Sequence, residues 1–321
     1  MNPIVYPLGS FILMFLLIIL IVQLLKRRGV FNDSHQQVFD RLVTEFALPA
    51  IVLTTTTIRA EWILPVFIVI GAVLVTMLVA WGACRIFKLT PAVTGTIVIL
   101  SAFGSTYTVG GPVLGAVFGL QSQEVALGQV IGSVGFALPF FTLGILAARY
   151  FGLAEKGEKI SLPLFLKSIF SSPIFLAFWL GLIVSILFST FHLPGADIYT
   201  DIFTDFFVVI QHAVNLLVWI AIGLLLRPVR LRLLVTVLAL VSAIHLLILP
   251  ALVFAGGAAA GLPVMQQSVA FIMAALPSGA IAAVVADRYG CDGKLASAIV
   301  ICTYLLSLVT LPLFLMLVPG L

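Results

Sequence analysis

The sequence predicts an all-α integral membrane protein of ten transmembrane helices, arranged as two inverted five-helix repeats with broken crossing helices 4 and 9. Three observations predict it. The 321 residues are 62% apolar and 9% charged, with mean hydropathy +1.28, and the apolar runs are longer than the roughly 18 residues that mark a membrane-spanning helix. The sixteen Lys and Arg residues gather in short clusters between apolar runs rather than in one basic face, which is the pattern of cytoplasmic loops and not of a nucleic-acid surface. Two runs are interrupted halfway by Gly, Ser and Pro, at Phe103-Gly104-Ser105-Thr106-Tyr107-Thr108-Val109-Gly110-Gly111-Pro112 and at Ala275-Leu276-Pro277-Ser278-Gly279. Barrel strands would instead alternate over about 10 residues.

Taken in order, the spans fall near 4–25, 38–57, 62–86, 91–119, 123–150, 169–190, 201–226, 230–256, 264–288 and 294–318. The first is too long for a signal-peptide core and its charges follow it, so it reads as a retained span. The longest charged loop, Gly152–Leu162 with Glu155, Lys156, Glu158 and Lys159, divides the chain. The predicted division is a first repeat over 1–151, a cytoplasmic linker over 152–162 and a second repeat over 163–321, with Ser161–Ile169 lying along the membrane surface. With both termini outside, the inner loops hold every Lys and Arg except Arg59, as the positive-inside rule requires. The expected location is a bacterial-type inner (plasma) membrane. Five spans per half make the two halves run in opposite directions. The halves also share a pattern: Pro112, Phe118-Gly119 and Leu138-Pro139-Phe140-Phe141 in the first, Pro277, Tyr289-Gly290 and Leu311-Pro312-Leu313-Phe314 in the second. Cys84, Cys291 and Cys302 have neither disulfide nor metal spacing.

Breaks in the middle of a bilayer survive only where protein or a water-filled cavity surrounds the freed backbone. Paired breaks in two half-chains mark the substrate site of a transporter. Proline favours the first turn of a helix, so the second half-helices are expected to restart near Pro112 and Pro277. Each restart presents free N–H groups and about half a positive charge, which suits a carboxylate or similar anion. The candidate substrate residues are Ser105, Thr106, Tyr107, Thr108, Gly111, Pro112, Pro277, Ser278 and Gly279, with Gln211 and Asn215 from span seven. His212, Gln129 and Glu124 are candidates for coupling to H+ or Na+. His245, among apolar sequence neighbours, reads as an interhelical hydrogen bond. Arg41 and Glu45, four apart, read as a local ion pair. Neither break contains a carboxylate, which argues against proton–sodium exchange of the kind that needs aspartates beside the crossing.

The segments Ser101-Ala102-Phe103-Gly104-Ser105-Thr106, Gly110-Gly111-Pro112-Val113-Leu114 and Phe118-Gly119 resemble the fourth-helix motif of the auxin efflux carrier family. Pro277, Ala286-Asp287-Arg288-Tyr289-Gly290-Cys291-Asp292, Ala296-Ser297 and Ser307-Leu308-Val309-Thr310-Leu311-Pro312 resemble its C-terminal signature, and Phe46-Ala47-Leu48-Pro49-Ala50 also matches. The resemblance implies ten-helix carriers with two inverted repeats, akin to the bile acid sodium symporter fold. It implies organic-anion transport at the crossing of helices four and nine. It also implies scaffold helices 1, 2, 6 and 7 beside a transport domain of helices 3–5 and 8–10. Two departures stand out: Ser105 where family members often carry Asn, and Ile281-Ala282 where a second Asn is expected.

The expected function is a secondary active or potential-driven transporter of small organic anions (carboxylates) by alternating access. The alternative is a sodium-coupled symporter of the bile acid symporter type. No phosphate-cradling Walker sequence and no His-Glu-x-x-His occurs, and the chain reads as no enzyme, with no cofactor and no metal. The expected partners are the anion, the lipid bilayer and a second copy joined through scaffold helices, with no nucleic acid.

Overall fold

The computed structural model describes residues 5–47, 59–158 and 213–317, with isolated positions between 176 and 209. Among these residues all regular structure is helical, apart from one antiparallel bridge between Gly104 and Ser278. Helical stretches at Gly9–Arg27, Ala60–Ile86, Gln123–Glu155, Leu231–Ala259 and Gly293–Met316 are long and apolar enough to cross a membrane. Pro91–Ala102, Thr108–Phe118, Ala213–Leu225 and Val264–Ala274 are shorter apolar helices. The remainder of predicted span two, span six, Ser161–Ile169, Gln211 and His212 lie outside the described residues.

The chain opens with α1 (Val5–Arg27) and α2 (Asp33–Arg41), the latter running on as π-helical turns over Leu42–Ala47. The Asn32 carboxamide oxygen caps α2, accepting from the Ser34 N–H at 3.1 Å. Next come α3 (Ile63–Ile86) and α4 (Pro91–Ala102), where Pro91 takes the first turn and the Thr90 hydroxyl accepts from the Val93 N–H. After the break, π-helical turns over Thr106–Gly110 lead into α5 (Gly111–Phe118). Helices α6 (Gln123–Val130) and α7 (Ile145–Glu155) form one long stretch through wider π turns. In the second half, α8 (Ala213–Leu225) precedes α9 (Leu231–Ser242), which passes through π turns over Ala243–Ile248 into α10 (Leu249–Ala259). The second broken pair is α11 (Val264–Ala274) and α12 (Ala280–Arg288), and α13 (Gly293–Leu317) closes the fold. Both halves thus run long stretch, broken stretch, long stretch.

Two sets of contacts organise these elements. Helices α1 and α8 are joined through the exposed carbonyls that end α8. The Gln23 side chain donates to Gly223 O at 2.6 Å and Leu226 O at 3.2 Å, and Lys26 Nζ donates to Leu224 O at 3.0 Å. Each supplies a partner that the last turn of a helix lacks.

The second set draws together α4, α7, α12 and α13. At the end of α12 the Cys291 N–H donates to Ala286 O at 2.8 Å and the Gly290 N–H to Asp287 O at 3.1 Å, with Gly290 at φ +89°. That is the glycine-terminated C-cap in which a left-handed residue reverses the chain. Asp292 then caps α13 through Oδ1, accepting from the Leu295 N–H at 3.0 Å. Its own N–H donates to Thr96 Oγ1 at 3.1 Å on α4, while Glu155 Oε2 on α7 accepts from the Ala92 N–H at 2.8 Å. The signature Asp287-Arg288-Tyr289-Gly290-Cys291-Asp292 is therefore in large part a turn and two helix ends, which hold the bundle in register.

One expectation about polar residues changes. Glu45 bonds Arg288 of α12 rather than forming the local pair with Arg41, because the π turns after α2 carry Glu45 onto the neighbouring helix. Beside it Gln36 Nε2 donates to Asp287 Oδ2 at 2.6 Å.

A close backbone approach between α7 and the end of α12 sets a strict requirement for glycine. A Cβ on Gly152 would run into the carbonyl oxygen of Tyr289 and lie 2.9 Å from its carbon, whereas one on Gly71, in mid-α3, would meet nothing within 4 Å. Forcing backbone apart in a packed interior costs about 1–3 kcal/mol. Gly152→Ala is expected to lower the midpoint of thermal unfolding in detergent by several degrees, while Gly71→Ala leaves it level or slightly raised. Equal midpoints for Gly152→Ala and wild type would refute the close packing of α7 on α12.

Candidate functional site

The two breaks meet, and each supplies what the other lacks. The unwound segments pass antiparallel, with the Ser105 N–H donating to Pro277 O at 2.8 Å and the Gly279 N–H to Phe103 O at 2.8 Å. Two further carbonyls at the end of α4 are also taken up. Ser278 Oγ donates to Leu100 O at 2.9 Å, and His245 Nδ1 lies 2.9 Å from Ser101 O. The other ring nitrogen, Nε2, lies 2.9 Å from Leu276 O, just past the end of α11. The half-helix C-termini are thus closed by side chains and by each other. Their N-terminal counterparts are not: neither Ser105, before the Thr106–Gly110 turns, nor Gly279, before α12, makes a side-chain cap. At the start of α12 the Ala282 N–H donates to Gly279 O at 3.0 Å, while the amides of Ala280 and Ile281 precede that first bond.

The restarts differ between the two breaks. At the first, wide π turns over Thr106–Gly110 lead into α5, and Pro112 stands in its first turn as expected. The second begins at Ala280, and Pro277 lies in the unwound strand, where its carbonyl is an acceptor and its missing N–H leaves nothing unpaired. Proline thus stands in the first turn of α5 but precedes α12 by three residues, because Pro277 is drawn into the antiparallel pairing.

The candidate residues separate into groups. Ser105 and Thr108 are buried and hydrogen bond to each other, and Ser105 Oγ shares a 2.6 Å bond with the hydroxyl of Tyr304 on α13. Ser278 is buried beside them with its hydroxyl donated to Leu100 O. Thr106 is buried on the other side of the segment, against Gly132. Gly111 is half-buried and Pro112 exposed. Gln129 is exposed and Glu124 half-buried on α6. Asn215 lies half-buried on α8, one turn before Trp219 and on its face.

Three residues that the sequence did not single out complete the site. Tyr304 is fully buried, and its ring stacks on Phe15 of α1 with centroids 4.7 Å apart. Phe15 meets Trp219 edge-on at 5.7 Å, and Phe11 meets it at 5.1 Å. The buried indole Nε1 of Trp219 has no hydrogen-bond partner among the described residues. A lone Tyr in the apolar run Ile299–Leu317 was the available signal for Tyr304; the aromatic contacts with α1 and α8 join parts of the chain far apart in sequence.

His245 has apolar neighbours in sequence but polar ones in space. The interhelical hydrogen bond expected of it is present on both sides of the ring, and its partners are the backbone of both broken spans.

A Cβ on Gly279 would lie 3.2 Å from Phe103 O and 3.3 Å from Gly104 O, both backbone atoms of the facing strand, whereas one on Gly104 would come no closer than 3.5 Å to the His245 ring. Gly279→Ala is expected to push the strands apart and cost about 1–3 kcal/mol, visible as a lower unfolding midpoint and faster amide exchange at Ser105. Gly104→Ala should stay near wild type. If the two variants proved equally stable, the strands would not be in contact at Gly279.

Comparison with known proteins gives the fold its family. The family model described as membrane transport protein, that of the auxin efflux carriers, matches residues 10–315. An uncharacterized transporter of Methanothermobacter thermautotrophicus is 27% identical over 311 residues, covering 94% of this chain and 96% of that protein. An uncharacterized transporter of Methanocaldococcus jannaschii is 24% identical over 311 residues, with the same coverage. The match spans nearly the whole described chain, including both breaks and the contacts between them. The chain is a multi-pass membrane transporter, not an enzyme, and belongs to the auxin efflux carrier family of membrane transport proteins.

Proposed function

We propose that this transporter carries small organic anions, carboxylates above all, by alternating access, with the anion held at the helix crossing. The observation that carries the reading is the uneven treatment of the helix ends. The C-termini at the crossing are closed by Ser278, His245 and strand pairing, while the restarts at Thr106 and Ala280 have no side-chain cap. Uncapped N-termini carry partial positive charge and free donors, which suit a carboxylate without a buried lysine. The hydroxyls of Ser105, Thr108 and Tyr304 adjoin them, and the Trp219 N–H is a further donor at the same level of the aromatic stack.

The division of labour follows the contacts. Helices α1 and α8 belong to the scaffold with α2, and α3–α7 with α9–α13 form the transport domain of two inverted repeats, the termini lying outside. In this scheme the moving boundary is the stack of Tyr304 on Phe15, together with the polar contacts Gln36–Asp287 and Glu45–Arg288. Stacked rings slide with little change in energy, whereas the hydrogen bonds at the Asp287 end must open and close.

The test is uptake of labelled lactate and succinate into proteoliposomes, with membrane potential, pH and Na+ varied separately. A hydrogen bond to a charged group contributes about 1.5–3 kcal/mol, so Ser105→Ala and Tyr304→Phe are each expected to weaken carboxylate binding roughly 10- to 100-fold while the Phe15 stack keeps the fold intact. Unaltered affinity in both variants would place the anion elsewhere, and absence of flux for every carboxylate tried would sink the substrate class.

A further inference from the structure

His245 stands where the polarity of the crossing is least balanced. It is fully buried, in the π-helical turns Ala243–Ile248 that interrupt the α9–α10 stretch. Nδ1 is 2.9 Å from Ser101 O and Nε2 2.9 Å from Leu276 O, so one ring joins the ends of both half-helices that lead into the crossing.

Carbonyl oxygens only accept. A neutral imidazole has one N–H and one bare nitrogen, so it would satisfy one of these oxygens and set a lone pair against the other. The imidazolium donates to both. The ends of α4 and α11 add the negative poles of two helices, each about half a charge. In carriers with broken helices, half-helix C-termini and unwound carbonyls are where a coupling Na+ or H+ is held. Burial opposes any cation; here two negative helix poles and a ring of carbonyl oxygens act against that penalty.

Among the described residues, no titratable side chain is hydrogen bonded to the ring, whose partners are backbone carbonyls. Helices α4 and α10 carry no ionisable side chain. Cys84 and Arg85 stand in the last turn of α3 and Arg232 in the first turn of α9. Tyr304 lies on the far side of Ser105, bonded to it.

We propose that His245 is the proton-binding site of the carrier: a doubly protonated imidazolium that clamps the two half-helices and supplies from within the protein the cation that sodium-coupled carriers take from solution. This deepens the transport reading and rests on it for its coupling role. Release of the proton from one ring nitrogen to water turns one clamp contact from attraction to repulsion. Proton occupancy and the shape of the crossing are thereby linked, and the coupling ion is H+, not Na+.

The experiment is nitrogen NMR of protein labelled with 15N at histidine, in lipid nanodiscs at pH 7. The chain has four histidines. Single variants His35→Gln, His192→Gln and His212→Gln assign three signals, so that His245 is identified by difference with its clamp untouched. Both ring nitrogens of His245 are expected to carry protons. One bare nitrogen overturns the site. In parallel, carboxylate uptake is expected to change several-fold with an imposed pH difference and not at all when choline replaces Na+; uptake that requires Na+ overturns the coupling. The two readings fail separately. An imidazolium in a protein that moves no carboxylate refutes the substrate and leaves the cation, while a neutral ring in a protein that moves them refutes the cation alone.

Discussion

An unpaired backbone group in a hydrocarbon interior costs several kcal/mol, and the arrangement around the crossing follows from that cost. Breaking one helix alone would leave its last carbonyls and the next amides stranded. Breaking two, and laying the unwound segments antiparallel, lets the Ser105 N–H find Pro277 O and the Gly279 N–H find Phe103 O. The pairing is short, so both breaks also depend on side chains from the second half of the molecule. Ser278 serves the end of α4, and His245 serves α4 and the segment after α11 together. A change in either break is therefore felt in both. This is why the two interruptions occur at matching places in the two halves.

Much of this was legible in the sequence, for a physical reason. Gly, Ser and Pro are poor company for an apolar helix, so Phe103–Pro112 and Ala275–Gly279 stand out without any knowledge of their contacts. The family resemblance rested on the same residues and on Asp287–Asp292, whose capping roles are local and leave a local trace. What the sequence misplaced was the role of Pro277. Proline's preference for a first turn holds at Pro112 in α5, but at the second break strand pairing across the crossing outweighed it and set the restart at Ala280. Tyr304 left only the trace of a lone Tyr in an apolar run, and Phe15 and Trp219 left none. Each is an aromatic residue in an apolar span, and only packing between distant helices puts Tyr304 beside Ser105 and stacks Phe15 on it. His245 was visible as a polar residue in an apolar run, yet its partners are backbone carbonyls, which carry no sequence signal. The Glu45 partner was misread because a helical spacing of four was assumed where π turns shift the register.

The contacts also differ in kind across the molecule, and the difference bears on where motion is possible. Within the bundle of α4, α7, α12 and α13 the helices are sewn by backbone hydrogen bonds through Asp292, Thr96 and Glu155, and by backbone contact at Gly152. Such contacts have one register: shift the helices by an ångström and they are lost. Helices α1 and α8 are tied to each other in the same manner through Gln23 and Lys26. Between the two groups lie the stack of Tyr304 on Phe15 at 4.7 Å and, at the Asp287 end, a side-chain hydrogen bond from Gln36 of α2 and one exposed ion pair. Exposed ion pairs contribute about 0–1 kcal/mol, and aromatic contacts are tolerant of sliding. If one part of this protein moves against another, the boundary therefore runs between Tyr304 and Phe15. A solute bound at Ser105 would sit beside that boundary while resting on the rigid side of it, so it would travel with the crossing and not with α1 and α8.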